Sequence, residues 1–387
     1  MKKALIYCYH MPTHNVANGI RLIHFAHMLR ELGYTVELHG VGTENGCVYE
    51  EEGIRSYTFS ELKGHGFSAH FKRKQNHLNY VKKSVEGIGE GDLIISAFNS
   101  TELYAHKFLY KYAKQHRVSF VRSLVEWYNI HNYGYKYFYR FLYCEYVMRF
   151  VNRKSKNVIS ISTYLEKYYR RQGCNSLFIP TIVDREAYAD GVHTPNERVT
   201  VLYAGSPARK DCIMNAIYAL GELTSQERAR IRFRIYGVKE GQLKALGLTD
   251  EFLSCVGDSL EICGRVPQAE IKAQIYAADY TVLLRENTRN ANAGFSTKVG
   301  ESMACGTPVI ANHTGDLADY IIDGKTGIVC ESETVESCTK AYRRALELSA
   351  DAYLQLREGS RQVALDAFDY RNYIGAMDAF LKNIKIR

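Results

Sequence analysis

One stretch of this chain leaves little freedom in how it can fold: residues 280–312, YTVLLRENTRNANAGFSTKVGESMACGTPVIAN. Tyr280 to Leu284 is an apolar, β-branched run of the length of one buried strand. From Arg285 to Ala293 the sequence is polar and is expected to be a loop. Gly294-Phe295-Ser296-Thr297 then starts a helix, with Ser296 or Thr297 as its N-cap. Val299, Ser302 and Met303 follow at helical spacing, and Gly306-Thr307-Pro308 ends the helix. Val309-Ile310-Ala311 is the next strand. Strand, loop, helix, strand is the repeating unit of a parallel sheet, so the predicted fold class is α/β.

The chemistry of this stretch sits at the start of the helix. Free backbone N–H groups around Ser296, Thr297 and Lys298, in line with the helix dipole, suit a phosphate, and the Lys298 side chain adds charge. Glu301 lies one turn further on, where a carboxylate can accept two hydroxyls at once, as from a ribose diol. Each residue alone also fits a solvated helix with an ordinary cap.

The order Gly-Phe-x-x-x-x-x-Glu-x-Met-Ala-x-Gly-x-Pro-Val-Ile-Ala resembles the nucleotide-sugar glycosyltransferases of the large group 1 class (family 4). The resemblance implies a GT-B fold, two facing Rossmann-like domains with an interdomain donor cleft. Members of that class usually carry Glu-x7-Glu here; the second glutamate matches Glu301 and the first falls on Ala293. The departure concerns the donor sugar more than the nucleotide, and Asn290 and Asn292 are placed to stand in for the missing carboxylate. The variant with Phe-x-Thr-Lys before the glutamate is similar to members that assemble bacterial surface polysaccharides. Gly294, Phe295, Ser296, Thr297 and Lys298 are then donor-binding residues.

The remaining elements extend the same pattern. Ala4 to Tyr9 reads as a first strand rather than a signal peptide, because the apolar run is short and meets His10 and Pro12. A loop to Asn18-Gly19 precedes a helix from Ile20 to Leu32, and Gly19 stands where group 1 enzymes have a Gly-Gly pair touching donor and acceptor. Asp92 to Ser96 and the segment ending Leu124-Val125-Glu126 are further strands. Ligands gather at the carboxyl ends of such strands, which makes Asn99 and Glu126 candidates for the acceptor side; the resemblance adds Asn18, beside Gly19, and His131, the histidine nearest the rim where the family commonly has one. Val199 to Gly205 opens a second domain and leads to Ser206-Pro207-Ala208-Arg209-Lys210. Family members place a lysine beside the donor diphosphate after this strand, so Gly205 and Ser206 are assigned to the donor, and Arg209 and Lys210 to stabilising the leaving diphosphate. The resemblance implies that the loop around Arg265-Val266 holds the nucleobase. The resulting division is 1–184 with 371–387, and 185–370.

Charge narrows the partners. Residues 1–180 hold 25 lysines and arginines against 14 acidic residues, whereas residues 181–387 hold 25 against 28. A basic first half suits an anionic surface such as phospholipid headgroups or a lipid-diphosphate acceptor. No nucleic-acid recognition motif accompanies it, so nucleic acid is not expected as a partner. From Trp127 to Phe150 the chain is crowded with Tyr and Phe among Lys136, Arg140 and Arg149. Such a segment suits a membrane interface or, equally, a core helix with a few basic residues facing water. The ten cysteines show no C-x-x-C pair and no zinc spacing, which favours reduced thiols and a cytoplasmic protein, at or near the inner face of the cell membrane.

The leading expectation is transfer of a sugar from a nucleotide-diphosphate donor to a hydroxyl acceptor, lipid-linked or polysaccharide, with retention, without metal or cofactor. The alternatives are a nucleotide-sugar epimerase on the same fold, which needs acid and base groups facing the sugar, and a non-catalytic nucleotide-binding subunit, which the loss of the first glutamate would allow.

Overall fold

A computed structural model describes residues 2–10, 17–42, 44–51, 53–60, 66–130, 137–188, 193, 196–205 and 210–385. Contacts divide it into two units, Met1–Ile182 with Tyr370–Arg387, and Val183–Asp369.

The first unit is an eight-stranded sheet in the order β3-β4-β2-β1-β5-β6-β7-β8. The central strand β1 (Lys2–His10) pairs in parallel with β2 (Tyr34–Gly42) and β5 (Leu93–Ser96), and β6 (Ser119–Leu124), β7 (Asn157–Ser160) and β8 (Asn175–Phe178) continue outward. The period of two is visible in β1. Ala4, Ile6 and Cys8 pack with helix Ala17–Glu31 and helix Ile374–Lys382 on one face, and Leu5 and Tyr7 pack with helices Phe67–Ser84 and Leu103–Gln115 on the other. Both faces are covered, as an all-apolar strand requires. At one edge β3 (Gly46–Glu51) pairs antiparallel with β4 (Ile54–Ser60), a hairpin the sequence reading did not include.

Two further readings change here. Helix Ala17–Glu31 begins before Gly19, so Gly19 is buried in its first turn rather than in the preceding loop. The aromatic segment is a helix, Phe138–Tyr146, continued by a wider π turn over Val147–Val151. Its buried face is Cys144, Val147, Met148 and Val151, and most of its rings point to solvent.

The second unit is a six-stranded, wholly parallel sheet in the order β11-β10-β9-β12-β13-β14. Its strands are β9 (Val199–Ala204), β10 (Ile231–Tyr236), β11 (Leu260–Gly264), β12 (Tyr280–Leu283), β13 (Val309–Asn312) and β14 (Gly327–Cys330). The chain builds outward from β9 to β11, then crosses to β12 on the other side of β9. Helices Val335–Glu347 and Ala350–Ala367 close the unit; Tyr342 and Leu356 enter its core. Between β13 and β14 the chain makes one 3-10 turn, Gly315–Asp319. The chain then returns to the first unit, where Asn175 Nδ2 donates to the Phe380 carbonyl at 3.2 Å and Asn157 Oδ1 accepts from the Lys385 amide at 2.9 Å. Among the described residues no helix is long and apolar enough to cross a membrane.

Candidate functional site

Reversal of strand order between β9 and β12 opens a crevice at the carboxyl ends of those strands, the general place for ligands in an open parallel sheet. A cavity of about 300 Å³ lies there, entirely within the second unit. Its floor is apolar, from Leu202, Val282 and Val309, and helix Gln268–Ala277 adds Ile271 and Ile275. Polar groups come from Gly205 after β9, Gly237 after β10, Arg265 after β11, and Lys298 and Glu301 on helix Thr297–Ala304. Two glycines let the loops close on it. Gly237 has φ +88°, and a Cβ there would come within 2.7 Å of the Gly205 carbonyl oxygen. A Cβ on Gly205 would meet Lys298 Cε at 2.5 Å.

The cationic side of the cavity is built on a buried carboxylate. Asp211 Oδ2 accepts from Lys298 Nζ at 2.5 Å and from the Tyr203 hydroxyl at 2.9 Å, and Oδ1 pairs with Arg285 Nε at 2.8 Å. Lys298 Nζ also stands 4.7 Å from the Tyr203 ring centroid, within cation–π range. Burial would push the Asp211 carboxyl up, but Lys298 and Arg285 outweigh it and bring it down to about 2. Burial lowers Lys298 below the usual lysine range, Asp211 pulls it back, and Arg285 and Lys210 depress it further. Two cations share one carboxylate, so the cluster keeps a surplus positive charge. That charge stands at the N-terminus of helix Thr297–Ala304, where Ser296 occupies the cap position without a side-chain cap bond. Its first-turn amides and Lys298 point the same sign of charge at the cavity, which suits an anion.

Glu301 supplies the opposite chemistry one turn later. It lines the cavity, and among the described residues its carboxyl has no hydrogen-bond partner. Burial raises it from 4.5 to about 7, against the pull of Lys298. A carboxyl held near neutrality with unused acceptors is poised for hydroxyl donors.

The residues singled out in the sequence divide accordingly. Gly205, Arg265, Val266, Lys298 and Glu301 meet on this cavity. Lys210 does not line it, although its charge reaches Lys298. Phe295 packs into the second unit against Tyr320 and Phe368, ring centroids 5.4 and 5.7 Å away; Gly294 ends the preceding helical turn and Thr297 is the first residue of the cavity helix. The expected loop at 285–293 holds as far as Thr288; Arg289–Ala293 is instead a helical turn, because the Thr288 hydroxyl caps the Ala291 amide. Within it the Asn292 amide is committed to local structure, donating to Asn287 Oδ1 at 2.8 Å and accepting from the Gly315 amide at 2.6 Å. Asn292 therefore does not reach the cavity. Asn290 is buried, its Oδ1 without a partner among the described residues. Asn18, Asn99 and Glu126 share a second cavity, of about 50 Å³, in the first unit, beside Ser123 and Arg122. Ser206, Arg209 and His131 lie outside the described residues. The residues the sequence reading missed are Asp211, Tyr203 and Arg285. Asp211 directly follows the Arg209-Lys210 pair, which was the available signal.

Two Rossmann-like units, the second with a cavity at its switch point, give the chain a GT-B fold. Solved structures agree on the fold. Sucrose-phosphate synthase from Thermosynechococcus elongatus matches at TM-score 0.76 and 18% identity over 98% of each chain. HepE of Anabaena, determined in complex with UDP and glucose, matches at TM-score 0.71 and 14% identity over 99% of this chain and all of that one. Residues 184–363, in the second unit, match the family model of the group 1 glycosyl transferases. The chain's curated relatives include D-inositol 3-phosphate glycosyltransferase of Thermobifida fusca, 29% identical over 147 residues, 35% of this chain and 32% of that one. The chain thus spans about a third of that relative's length.

Proposed function

We propose that this protein transfers a sugar from a nucleotide-diphosphate donor to a hydroxyl acceptor. The observation that carries the reading is Glu301, a cavity carboxyl raised to about 7 with no partner among the described residues, one turn past a cationic helix start. On this reading the ribose diol donates to Glu301, the nucleobase lies against Arg265 and Val266, and the diphosphate meets Lys298 and the amides of residues 296–298. As the sugar–phosphate bond breaks, charge builds on the diphosphate, and fixed cations stabilise it with no reorganisation. Lys298 is such a cation, held by Asp211. Lys210 and Arg209 are proposed to add to it, so no metal ion is required, and a diphosphate oxygen can take the acceptor proton, with retention. Asn18, Asn99 and Glu126 are proposed for the acceptor, a lipid-linked or polysaccharide hydroxyl of the cell surface, met at the inner face of an anionic membrane.

A uridine nucleotide is the first donor to test, since HepE, which shares the fold, binds UDP. Purified protein incubated with UDP-, GDP- and ADP-sugars should slowly release free sugar from one of them, and Glu301→Gln should suppress this. Isomerised donor in place of free sugar would make the protein an epimerase. A second reading, a nucleotide-binding subunit without turnover, rests on Ala293, a fully buried methyl where the resemblance to the group 1 class would place a glutamate. Tight nucleotide binding with no product from any donor is its signature.

A further inference from the structure

Helix Phe138–Tyr146 and the turn that continues it have two apolar faces, and the fold uses one. Cys144, Val147, Met148 and Val151 are buried, and Tyr169 ties that side down through a 2.6 Å hydrogen bond to the Met148 carbonyl. Tyr139, Leu142, Tyr143, Tyr146 and Phe150 recur every three or four residues and therefore share the other face. That face is open: Tyr139 is 62% exposed and Leu142 51%. Seven of the fifteen exposed large apolar side chains among the described residues fall between Tyr137 and Phe150. Such clustering is unlike the scattered exposure of ordinary surfaces and marks an interaction site.

The charge of the patch says what it meets. Arg140, Arg149, Arg153 and Lys154 are exposed beside the rings, with the Arg140 guanidinium 4.8 Å from the Tyr137 ring and that of Arg153 5.4 Å from Phe150. Glu145 is the one acid between residues 137 and 156, and it is taken inside the fold: Trp127 Nε1 donates to it at 2.9 Å and Arg149 Nε at 2.8 Å. The outward face is thus aromatic and cationic with no exposed carboxylate. A second copy of the same face would bring like charges together. Tyrosine rings flanked by arginines match the headgroup layer of a bilayer, where rings bury their bodies and cations stay at the lipid phosphates.

We infer that residues 137–154 form a docking surface for an anionic lipid bilayer, lying flat in the interface. This assigns a specific surface to the membrane contact proposed above, and rests on that reading for the lipid-borne acceptor, not for the binding itself. The full-length protein is tested by flotation with vesicles of phosphatidylcholine alone and of phosphatidylcholine mixed with phosphatidylglycerol, at low and high salt. Two variants are compared with it, Tyr139→Ser/Leu142→Ser/Tyr143→Ser and Arg140→Gln/Lys154→Gln, all at exposed positions. The wild type should float with anionic vesicles and be released by salt. The charge variant should bind about 25-fold more weakly, about fivefold for each cation removed, and the apolar variant at least about tenfold more weakly. Titration with UDP, read separately, should be the same in all three. Loss of UDP binding with vesicle binding intact would count against the donor reading alone. The docking surface is refuted if the wild type fails to float, if it binds neutral vesicles equally, or if both variants bind like wild type. It is equally refuted if sedimentation velocity shows a wild-type dimer that the apolar variant breaks while vesicle binding stays unchanged.

Discussion

Lys298 Nζ and Asp211 Oδ2 stand 2.5 Å apart, linking the first turn of the cavity helix to the loop after β9. The carboxylate does not face the cavity; it fixes where the ammonium does. This makes Asp211 a positioning residue, and its partner Arg285 holds it from the opposite side at 2.8 Å.

Asp211→Asn should therefore cost both stability and donor affinity. It leaves two cations side by side with no anion, and breaking a buried pair in this way costs about 3–5 kcal/mol. The urea midpoint reports the loss. Acid sharpens the assignment. The Asp211 carboxyl is depressed to about 2 when folded, so its contribution is full above about 4, where the unfolded group ionises, and disappears as pH falls through 2. The wild-type advantage over the asparagine variant should shrink over that window. An advantage that persists unchanged to pH 2 would show that the ion pair is not its source.

Gly205→Ala tests the close approach of the loop to Lys298. The new Cβ would meet Lys298 Cε at 2.5 Å, so the lysine must leave its place. Overpacking of this kind costs about 1–3 kcal/mol. Shortening the lysine removes the clash, so Lys298→Ala should cost less stability in the Gly205→Ala background than in wild type. A double-mutant cycle on thermal unfolding measures this coupling. Additive effects would mean that the loop, not the lysine, absorbs the methyl.

How much of this was legible in the sequence depended on whether the signal was local. β9, β12, the cavity helix and its ending at Gly306 follow from apolar runs, a cap and a turn. Glu301 and Lys298 were legible because the helix start and its spacing are local. The Asp211–Arg285 pair joins residues 74 apart, and nothing in a polar loop distinguishes a buried arginine from a solvated one. The turn at Arg289–Ala293 was hidden because its two asparagines weaken helix propensity, while the Thr288 cap and the Asn292–Gly315 contact favour it. The helix at 138–146 shows a different limit. It is apolar on both faces, so periodicity predicts a helix without telling which face is buried.

Glu301 yields the most discriminating prediction, because its raised pKa places the test within ordinary buffers. Folding moves it from 4.5 to about 7, so the folded, ligand-free protein holds its proton longer than the unfolded chain does. The stabilising effect is full below about 4.5 and is lost as pH rises through 7, by at most about 3 kcal/mol. Glu301→Gln should accordingly unfold at a higher temperature than wild type at pH 8, with little difference at pH 4. Nucleotide binding has the opposite slope. The ionised carboxyl accepts both ribose hydroxyls, so affinity should rise about fivefold from pH 6 to pH 7 and about tenfold in all by pH 8, where it levels off. In Glu301→Gln the profile should be flat and the affinity above pH 8 at least about tenfold weaker. The 2′,3′-dideoxy nucleotide supplies the control, since it lacks the diol: wild type should discriminate against it and the variant should not. If the variant keeps the full preference for the ribo form, another group reads the ribose, and Glu301 is merely a buried carboxyl of the helix.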